Sequence, residues 1–507
     1  MFQPHSRRSF LKTAAVGSLA AVGDLAFLSK LRPVSADETK LDPNLVRVSS
    51  EMEPLVRLLE ETPREKLLEE VGSRVRKGLS YRDVVAALLL AGVRNIQPRP
   101  VGFEFHCVLV VNSAHLASLS SPPEHRWLPI FWALDNFKAS QAIKVNKGGW
   151  RMKPVDESKV PSATKARQAF IAAMDSWDIE AADVAVSGLA RSAGANEVFD
   201  IFARYGCRDF RDIGHKAIYV ANSWRTLQCI GWHNAEPVLR SLAFALLEHP
   251  EKGNPAKADL APDRPGRYNA ELAKKFRSDW QEGKCDVKFT TMLLETFRQH
   301  SDKECCEAVV EAVNKGIAPQ CVWDALMLYA GELLMKQPGI VGLHTLTSTN
   351  ALRYAYQTCA NDETRKLLML QNAAFLPLFF NAMKGRGNVD EARIDQLEPI
   401  RPKGDPLTPD AIFAHVGKDR ALAAGQALGF LKDTGNAKEL IDTARVLVFL
   451  KGRDSHDYKF SSAVLEDYYN VSPEWRDRYL AANTYWLRGT SMEDNGLVQR
   501  TRAALKG

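Results

Sequence analysis

The stretch GRDSHDYKFSSAVL, residues 452–465, decides the fold assignment because it has the pattern of a helix start followed by a core-facing helix. Asp454 or Ser455 can cap the helix, since a short side-chain oxygen accepts hydrogen bonds from the free backbone N–H groups of the first turn. Asp457 then lies where the positive end of the helix favours a carboxylate. A helix is therefore predicted to begin here.

The apolar residues of this helix define the face that turns to the core. Phe460, Ala463 and Val464 are spaced by three and four residues, as on one side of an α-helix. Extending the same side back by one turn reaches His456 and Lys459. Two titratable side chains are therefore predicted to point inward together.

An inward lysine needs a physical explanation, because a bare ammonium group is rarely buried. Its desolvation must be offset by a partner charge, a shifted pKa or a covalent change. One such change at Lys459 is carboxylation by carbon dioxide, which turns the amine into a carbamate that can ligate a metal. The alternative is that Lys459 extends to solvent and that His456 is an ordinary first-turn histidine.

Helical periodicity continues over almost the whole chain after residue 44, and alternating strand patterns are scarce. The best strand candidate, residues 105–111, could equally be a buried helix. These patterns predict an all-α fold. Apolar residues recur at helical spacing in residues 53–61, 81–92, 162–189, 235–247, 278–299, 302–315, 321–336, 349–358, 363–383 and 437–451.

Three stretches interrupt the helices and have the composition of surface loops, namely residues 148–158, 250–268 and 385–408. The character of the chain does not change across them, and no internal repeat of fixed period is present. The sequence therefore predicts one large, irregular multi-helix domain with long loops, residues 37–485, followed by a C-terminal tail, residues 486–507.

The first 36 residues have the pattern of an export signal. Residues 6–12, SRRSFLK, match the twin-arginine motif, a short apolar run follows, and residues 34–36, VSA, form a small-residue cleavage pattern. The sequence thus predicts a prokaryotic protein that the twin-arginine machinery exports to the periplasm or the medium, with no stable membrane span after cleavage. This route carries folded proteins, and a common reason for its use is a metal or cofactor inserted before export.

The net charge of +6 comes largely from the signal, because the chain without residues 1–36 has 62 basic and 60 acidic residues. No basic run with interleaved aromatic residues indicates a nucleic-acid partner. The eight cysteines form no CxxC or CxxCH motif, which excludes a zinc knuckle and a c-type haem. Most of them are predicted to be small buried apolar groups.

Five histidines lie inside apolar helical stretches: His106, His115, His215, His344 and His456. Each alone is more often a hydrogen-bonded core residue than a ligand. Neutral imidazole is nevertheless a common ligand of iron, copper and zinc, and helical bundles build such sites from inward residues on separate helices. Their joint occurrence therefore predicts a metal site.

The remaining sequence signals limit the chemistry. His233 lies in a turn before a helix and could line a pocket, whereas His125, His249 and His300 have charged or proline-containing surroundings and are predicted to be at the surface. The chain has no HExxH motif, EF-hand loop, P-loop or GxSxG motif. The ready-made signatures of hydrolases and nucleotide enzymes are therefore absent.

Four short motifs, spread between about residues 105 and 465, together resemble the questin oxidase-like family. They are Asn112 with His115, His215 with an aromatic residue four positions on, His344 with Thr347, and Asp454-x-His456-x-x-Lys459. That family is all-helical, and its fungal members open anthraquinone rings with molecular oxygen. It looks to be a non-haem iron family whose metal is held by histidines and a carboxylated lysine.

The resemblance implies a metal-dependent oxidoreductase or oxygenase with non-haem iron, or another divalent metal, acting with O2 on an aromatic or quinone-like small molecule. Carried over residue by residue, it implies the metal ligands His115, His215, His344, His456 and Lys459, the last as a carboxylated lysine. Near the substrate, the residues expected to act as acid or base are His106, Tyr219 or His233.

Two other functions stay open. The first is a non-catalytic helical protein, exported in its folded state, that binds a ligand or a partner in the periplasm; it would hold no stoichiometric metal. The second keeps the metal site but uses zinc for hydrolysis, and it lacks a supporting pattern of carboxylates behind the ligands.

Overall fold

The computed structural model describes residues 44–403 and 406–507, and the signal peptide predicted for residues 1–36 lies outside them. The described residues are 70% helical and contain 22 α-helices and no β-strand. The predicted all-α fold is therefore confirmed. The helices are α1 (Glu53–Glu61), α2 (Arg64–Arg76), α3 (Tyr81–Asn95), α4 (His106–Leu119), α5 (Leu128–Asn146), α6 (Ala163–Ser176), α7 (Ile179–Ser192), α8 (Ala195–Gly206), α9 (His215–Ile230), α10 (Ala235–Leu246), α11 (Arg264–Leu272), α12 (Val287–Gln299), α13 (Asp302–Asn314), α14 (Pro319–Lys336), α15 (Ile340–Thr358), α16 (Asp362–Lys384), α17 (Pro409–His415), α18 (Arg420–Thr434), α19 (Ala437–Lys451), α20 (Ser455–Asp467), α21 (Pro473–Asn483) and α22 (Leu497–Lys506).

Three segments differ from the pattern expected from the sequence. Residues 278–299 are helical only from Val287, where Asp286 caps α12 by accepting from the Lys288 N–H. Residues 162–189 form two helices, because Trp177 ends α6 in the left-handed conformation with φ 63°, and Asp178 caps α7 by accepting from the Ala181 N–H. The strand candidate 105–111 forms the start of α4. A short, continuously apolar run has no periodicity that separates a strand from a buried helix.

Four helices, α4, α9, α15 and α20, form a ring in which each helix packs against the next. The rings of His106 and His215 are in contact near the start of α4 and α9. Further along both helices, Asn112 Nδ2 donates to Asn222 Oδ1. The other three pairs of neighbouring helices show the same order, with one contact near the start of both helices and a second contact further along both. The four helices therefore run parallel. The contacts are His215–His344 then Arg225–Tyr354, His344–His456 then Asn350–Glu466, and His106–His456 then Ser113–Ser462.

The four helices begin at the same end of this bundle, each for a local reason. Asp454 caps α20 and forms a capping box with Asp457, as the sequence predicts. Gly214 precedes α9 with φ 81°, a conformation that glycine adopts readily. Gly339 precedes α15, and α4 continues a 3-10 turn formed by Phe103–Phe105. The side chains of the first turns therefore meet at one end of the bundle.

The segment 486–507, predicted as a tail, carries α22, which packs against α2. Arg500 Nε in this helix donates to Glu69 Oε1 at 2.7 Å. Residues 46–507 form one compact unit. Among the described residues, we find no helix with the length and apolar character that crossing a membrane requires.

The cysteines fall into two groups. Cys285 and Cys321 form a disulfide that spans 36 positions of the chain and that no sequence motif predicts. The other six are free thiols, and all of them except the half-buried Cys229 are buried. The prediction that most cysteines are small buried apolar groups is confirmed.

Candidate metal centre

Four histidine rings meet at the N-terminal end of the bundle, one from each helix. His106 and His215 open α4 and α9, His344 lies at the start of the second turn of α15, and His456 is the second residue of α20. Neighbouring ring centroids are between 4.5 and 5.2 Å apart. One ring nitrogen each of His106, His215 and His344 lies within 4.8 Å of the others, so this group could hold a metal ion.

The hydrogen bonds of His215 and His344 determine which nitrogen carries the hydrogen. His215 Nδ1 donates to the carbonyl oxygen of Asp212 at 2.8 Å, and His344 Nδ1 donates to that of Ile340 at 2.6 Å. A carbonyl oxygen has no hydrogen to give, so each neutral ring keeps a bare lone pair on Nε2. Burial keeps the rings neutral, because it lowers the pKa of His215 to about 3 and the pKa of His344 well below its ordinary value.

The two bare nitrogens face each other. His215 Nε2 and His344 Nε2 are 3.1 Å apart, and His106 Nε2 lies 2.9 Å from His215 Nε2. Lone pairs at this distance repel unless a cation lies between them. Nitrogens bonded to one ion at about 2.0–2.1 Å lie roughly 3–4 Å from each other. The nitrogen positions and the chemistry of the donors therefore fit a bound metal ion.

His456 brings a fourth nitrogen to the cluster. Its Nδ1 donates to Asp454 Oδ1 at 2.6 Å, and this hydrogen bond lowers the pKa of Asp454 to about 2. Its Nε2 is buried without a hydrogen-bond partner, and burial lowers the pKa of His456. A carboxylate behind a ligating histidine fixes the tautomer and makes the ring a stronger ligand. His456 therefore has the hydrogen-bonding pattern of a metal ligand.

The amine of Lys459 is buried beside these rings. The residue is 3% exposed, and its Nζ has no hydrogen-bond partner. Burial lowers the pKa of Lys459 to about 7. Its charge in turn contributes to the lowered pKa values of His106, His215 and His344, which indicates that the amine lies near all three. The inward orientation expected from the helix pattern is the one observed.

His115, a predicted ligand, lies apart from the cluster. Its Nδ1 is 3.0 Å from the hydroxyl of Tyr81, and its ring packs against the Tyr81 ring. His106 and His115 are nine residues apart in one helix, which places them about 13 Å apart along the axis and on opposite sides. The cluster therefore contains His106, expected as an acid or base, where the sequence analysis expected His115.

Tyr219 and His233, the other residues expected to act as acid or base, make their hydrogen bonds elsewhere. The Tyr219 hydroxyl donates to Ser241 Oγ at 2.9 Å, and burial raises the pKa of this tyrosine. His233 Nε2 lies 3.0 Å from Asn234 Nδ2 in the turn before α10. Neither hydrogen bond links these residues to the histidine cluster, so neither supports an acid or base role at the centre.

A polar cavity of about 20 Å³ lies inside the bundle beside Lys459, and we name it the axial cavity. All four helices of the bundle line it, with Asn112, Ile218, Thr347 and Ser462 among the lining residues. Asn112 Oδ1 and Thr347 Oγ1 are buried without a hydrogen-bond partner, as is Lys459 Nζ. Three residues that line the cavity therefore each carry a buried polar atom without a hydrogen-bond partner.

A second cavity, which we name the outer cavity, adjoins the axial cavity. It has a volume of about 210 Å³ and shares Leu116 and Ser462 with the axial cavity as lining residues. Leu119 and Tyr469 also line it, and they are 60% and 64% exposed. The outer cavity thus reaches the protein surface and shares two lining residues with the cavity beside Lys459.

A second group of titratable side chains lies behind His215. His249 Nε2 is 2.9 Å from Asp212 Oδ1 and 3.9 Å from Glu248 Oε1. Burial raises the pKa of Glu248 to about 7, and the hydrogen bond to Asp212 raises the pKa of His249. The sequence predicts His249 at the surface and does not indicate this group, because Asp212 meets Glu248 and His249 only through a tertiary contact. Asp212 links the group to the centre through the carbonyl that holds His215.

Comparison with known proteins leaves the geometry as the basis for a functional assignment. No family model, no curated protein and no solved structure matches the chain. The fold and the site define the protein as an all-α protein with a buried histidine cluster that could hold a metal ion.

Proposed function

We propose that the mature protein is an exported, metal-dependent oxidoreductase that uses non-haem iron and molecular oxygen on an aromatic or quinone-like small molecule. One observation carries the metal assignment: the bare Nε2 atoms of His215 and His344 are 3.1 Å apart. Both rings donate from Nδ1 to backbone carbonyl oxygens, so no hydrogen is left to lie between them. A cation is the partner that satisfies both lone pairs.

His106, His215, His344 and His456 would hold the ion. Behind three of them, the carbonyl oxygens of Asp212 and Ile340 and the carboxylate of Asp454 fix the ring orientation and the tautomer. Neutral imidazole suits iron, copper or zinc. The choice of iron rests on the resemblance to the questin oxidase-like family.

An anionic ligand would complete the centre. Four neutral imidazoles leave the charge of the ion uncompensated, and the N-terminal ends of four parallel helices add partial positive charge that favours an anion. Lys459, carboxylated to a carbamate, would supply a negative oxygen from within the protein. Its buried, unpartnered amine beside the rings supports this part of the proposal.

The residues of the chain would set the conditions for the chemistry. Bound iron supplies one-electron chemistry toward oxygen. The rings would hold the ion away from bulk water, and Asp454 keeps the His456 hydrogen on Nδ1. The aromatic substrate and the use of oxygen follow from the family resemblance, which gains support because the residues of three of its motifs, His215, His344, and His456 with Lys459, meet in space.

Export through the twin-arginine route belongs to the same proposal. The disulfide between Cys285 and Cys321 supports it, because disulfides persist in oxidising compartments such as the bacterial periplasm. A metal centre assembled inside a folded bundle also suits a route that carries folded proteins.

Metal content tests the proposal most directly. The mature protein, loaded with ferrous iron without oxygen and desalted, is expected to retain about one equivalent by elemental analysis, and nitric oxide should give a coloured ferrous complex. His344→Ala should lose the metal. His115→Ala is the matched control, since it removes a buried histidine of the same bundle outside the cluster, and it should keep the metal. Substoichiometric metal in the unaltered protein would favour the non-catalytic binding protein.

Oxygen consumption tests the catalytic part separately. The iron-loaded protein should consume oxygen when a hydroxylated anthraquinone is added, and His344→Ala should not. If the loaded protein consumes oxygen no faster than this variant, the aromatic oxygenase assignment is wrong even where metal binding stands.

A further inference from the structure

The axial cavity contains hydrogen-bonding groups that the lysine amine does not reach. Thr347 Oγ1 has a hydroxyl hydrogen to donate, and Asn112 Oδ1 can accept, because Asn112 already donates through Nδ2 to Asn222 Oδ1. Lys459 lines the same cavity, yet its Nζ makes no hydrogen bond to either atom. Buried polar groups without partners are rare in folded proteins, so these three atoms call for a shared partner.

We propose that the axial cavity is a carbon dioxide subsite in which Thr347 and Asn112 stabilise a carbamate formed on Lys459. This inference rests on the proposed function and adds to it the residues that support the lysine and the route by which carbon dioxide arrives. A carbamate extends the side chain beyond Nζ by one carboxylate group. It offers one N–H donor, which matches Asn112 Oδ1, and carboxylate oxygens, one of which matches the Thr347 hydroxyl.

The reaction is balanced without any oxidant or reductant. The neutral Lys459 amine attacks the carbon of carbon dioxide, and a nitrogen–carbon bond forms while one carbon–oxygen π bond becomes a lone pair on oxygen. One proton leaves the nitrogen for solvent. The product keeps one hydrogen on nitrogen and carries one negative charge on the carboxylate.

The dimensions of the cavities select a small reactant. About 20 Å³ exceeds the roughly 10–15 Å³ that one water molecule needs, so the axial cavity has room for a group of two or three heavy atoms but not for an aromatic ring. Carbon dioxide would arrive through the outer cavity, which shares Leu116 and Ser462 with the axial cavity. An aromatic substrate would have to approach the histidine cluster from another side.

The carbamate is measured directly by carbon-13 NMR of the metal-free mature protein in carbon-13 bicarbonate, so that the readout does not depend on activity. The unaltered protein should give a carbamate signal that Lys459→Met abolishes. Thr347→Val should lower the signal at least about tenfold, as expected when a hydrogen bond to a charged group is lost, and Thr347→Ser should restore it. Thr349→Val is the matched control, because the Thr349 hydroxyl donates a hydrogen bond to Asn372 Oδ1 and Thr349 does not line the cavity.

Every outcome decides the inference. A signal in Thr347→Val equal to that of the unaltered protein, or no signal in the unaltered protein, would overturn it. If Thr347→Val does not fold by circular dichroism, Asn112→Ala tests the other partner with the same criterion.

Leu116→Trp should slow the exchange of the label about tenfold without changing its final level, and an unchanged rate would overturn the access route. Carbamate without metal binding would contradict the metal centre of the proposed function and leave this inference standing. Metal binding without carbamate would contradict this inference and the Lys459 ligand, and it would leave a centre of four histidines.

Discussion

The Nε2 atoms of His215 and His344 lie 3.1 Å apart although both rings carry their hydrogen on Nδ1, where each donates to a backbone carbonyl oxygen. Two buried, neutral imidazoles therefore present lone pairs to each other. The helices hold the two rings together against this repulsion, because α9 and α15 pack against each other. The helix packing thus fixes the positions of two nitrogens that could bind a metal ion.

The carboxylate of Asp454 is expected to control metal affinity through His456. Asp454→Asn should weaken metal binding by about 10- to 100-fold, because the amide is a weaker partner for the His456 Nδ1 hydrogen. The fold should be little affected, since asparagine is as good a helix cap as aspartate. Competitive metal titration gives the affinity, and thermal unfolding of the metal-free variant gives the stability. Equal metal affinities would show that Asp454 serves only as a cap.

Lys459 should be an unfavourable residue for the stability of the metal-free protein when carbon dioxide is removed and the amine stays uncarboxylated. Lys459→Met is expected to raise the free energy of unfolding by about 1–3 kcal/mol, because it removes a buried amine that has no hydrogen-bond partner. Lys138→Met is the matched control, since Lys138 is also buried but donates to Glu60 O and Gln141 Oε1, and its loss should destabilise. Urea unfolding of both variants measures the difference. Destabilisation by Lys459→Met in this metal-free protein would contradict the conclusion that the Lys459 amine is buried without a hydrogen-bond partner.

The metal-free protein should lose stability in mild acid. Burial lowers the pKa of His215 to about 3, whereas an unfolded histidine has a pKa of about 6.5. Because the folded-state pKa is the lower one, the unfolded chain binds protons first, and stability falls as the pH drops from about 6.5 toward 3. At pH 5 this loss is about 2 kcal/mol for His215 alone. Urea unfolding at pH 7 and pH 5 should show a smaller loss for His215→Gln; an equal loss would mean that His215 is not buried in its neutral form.

The disulfide should contribute to stability independently of the metal centre. Replacing Cys285 and Cys321 together by serine is expected to lower the free energy of unfolding by about 2–4 kcal/mol, because the cross-link restricts the unfolded chain. The metal content should not change. Urea unfolding and elemental analysis of the double variant check both expectations, and a loss of metal in folded double variant would show that the two features are coupled.

Sequence alone determined the helical class and the orientation of α20. Both follow from local rules: apolar residues repeat with the period of the helix, and Asp454 with Asp457 supplies the cap. The same rules placed His456 and Lys459 on the inner face, because they lie on the side already defined by Phe460 and Val464. These statements need no knowledge of which helices are neighbours.

Only the tertiary structure decided between His106 and His115. Helix α4 is buried on nearly all sides, so its periodicity does not indicate which side faces the bundle. The two histidines project to opposite sides, and the packing of α4 against α9 and α20 turns His106 to the centre. The disulfide and the group around His249 also depend on contacts between distant segments. Periodicity describes one helix at a time. Which side chains from distant segments meet depends on how the segments pack, and a local sequence pattern does not contain that information.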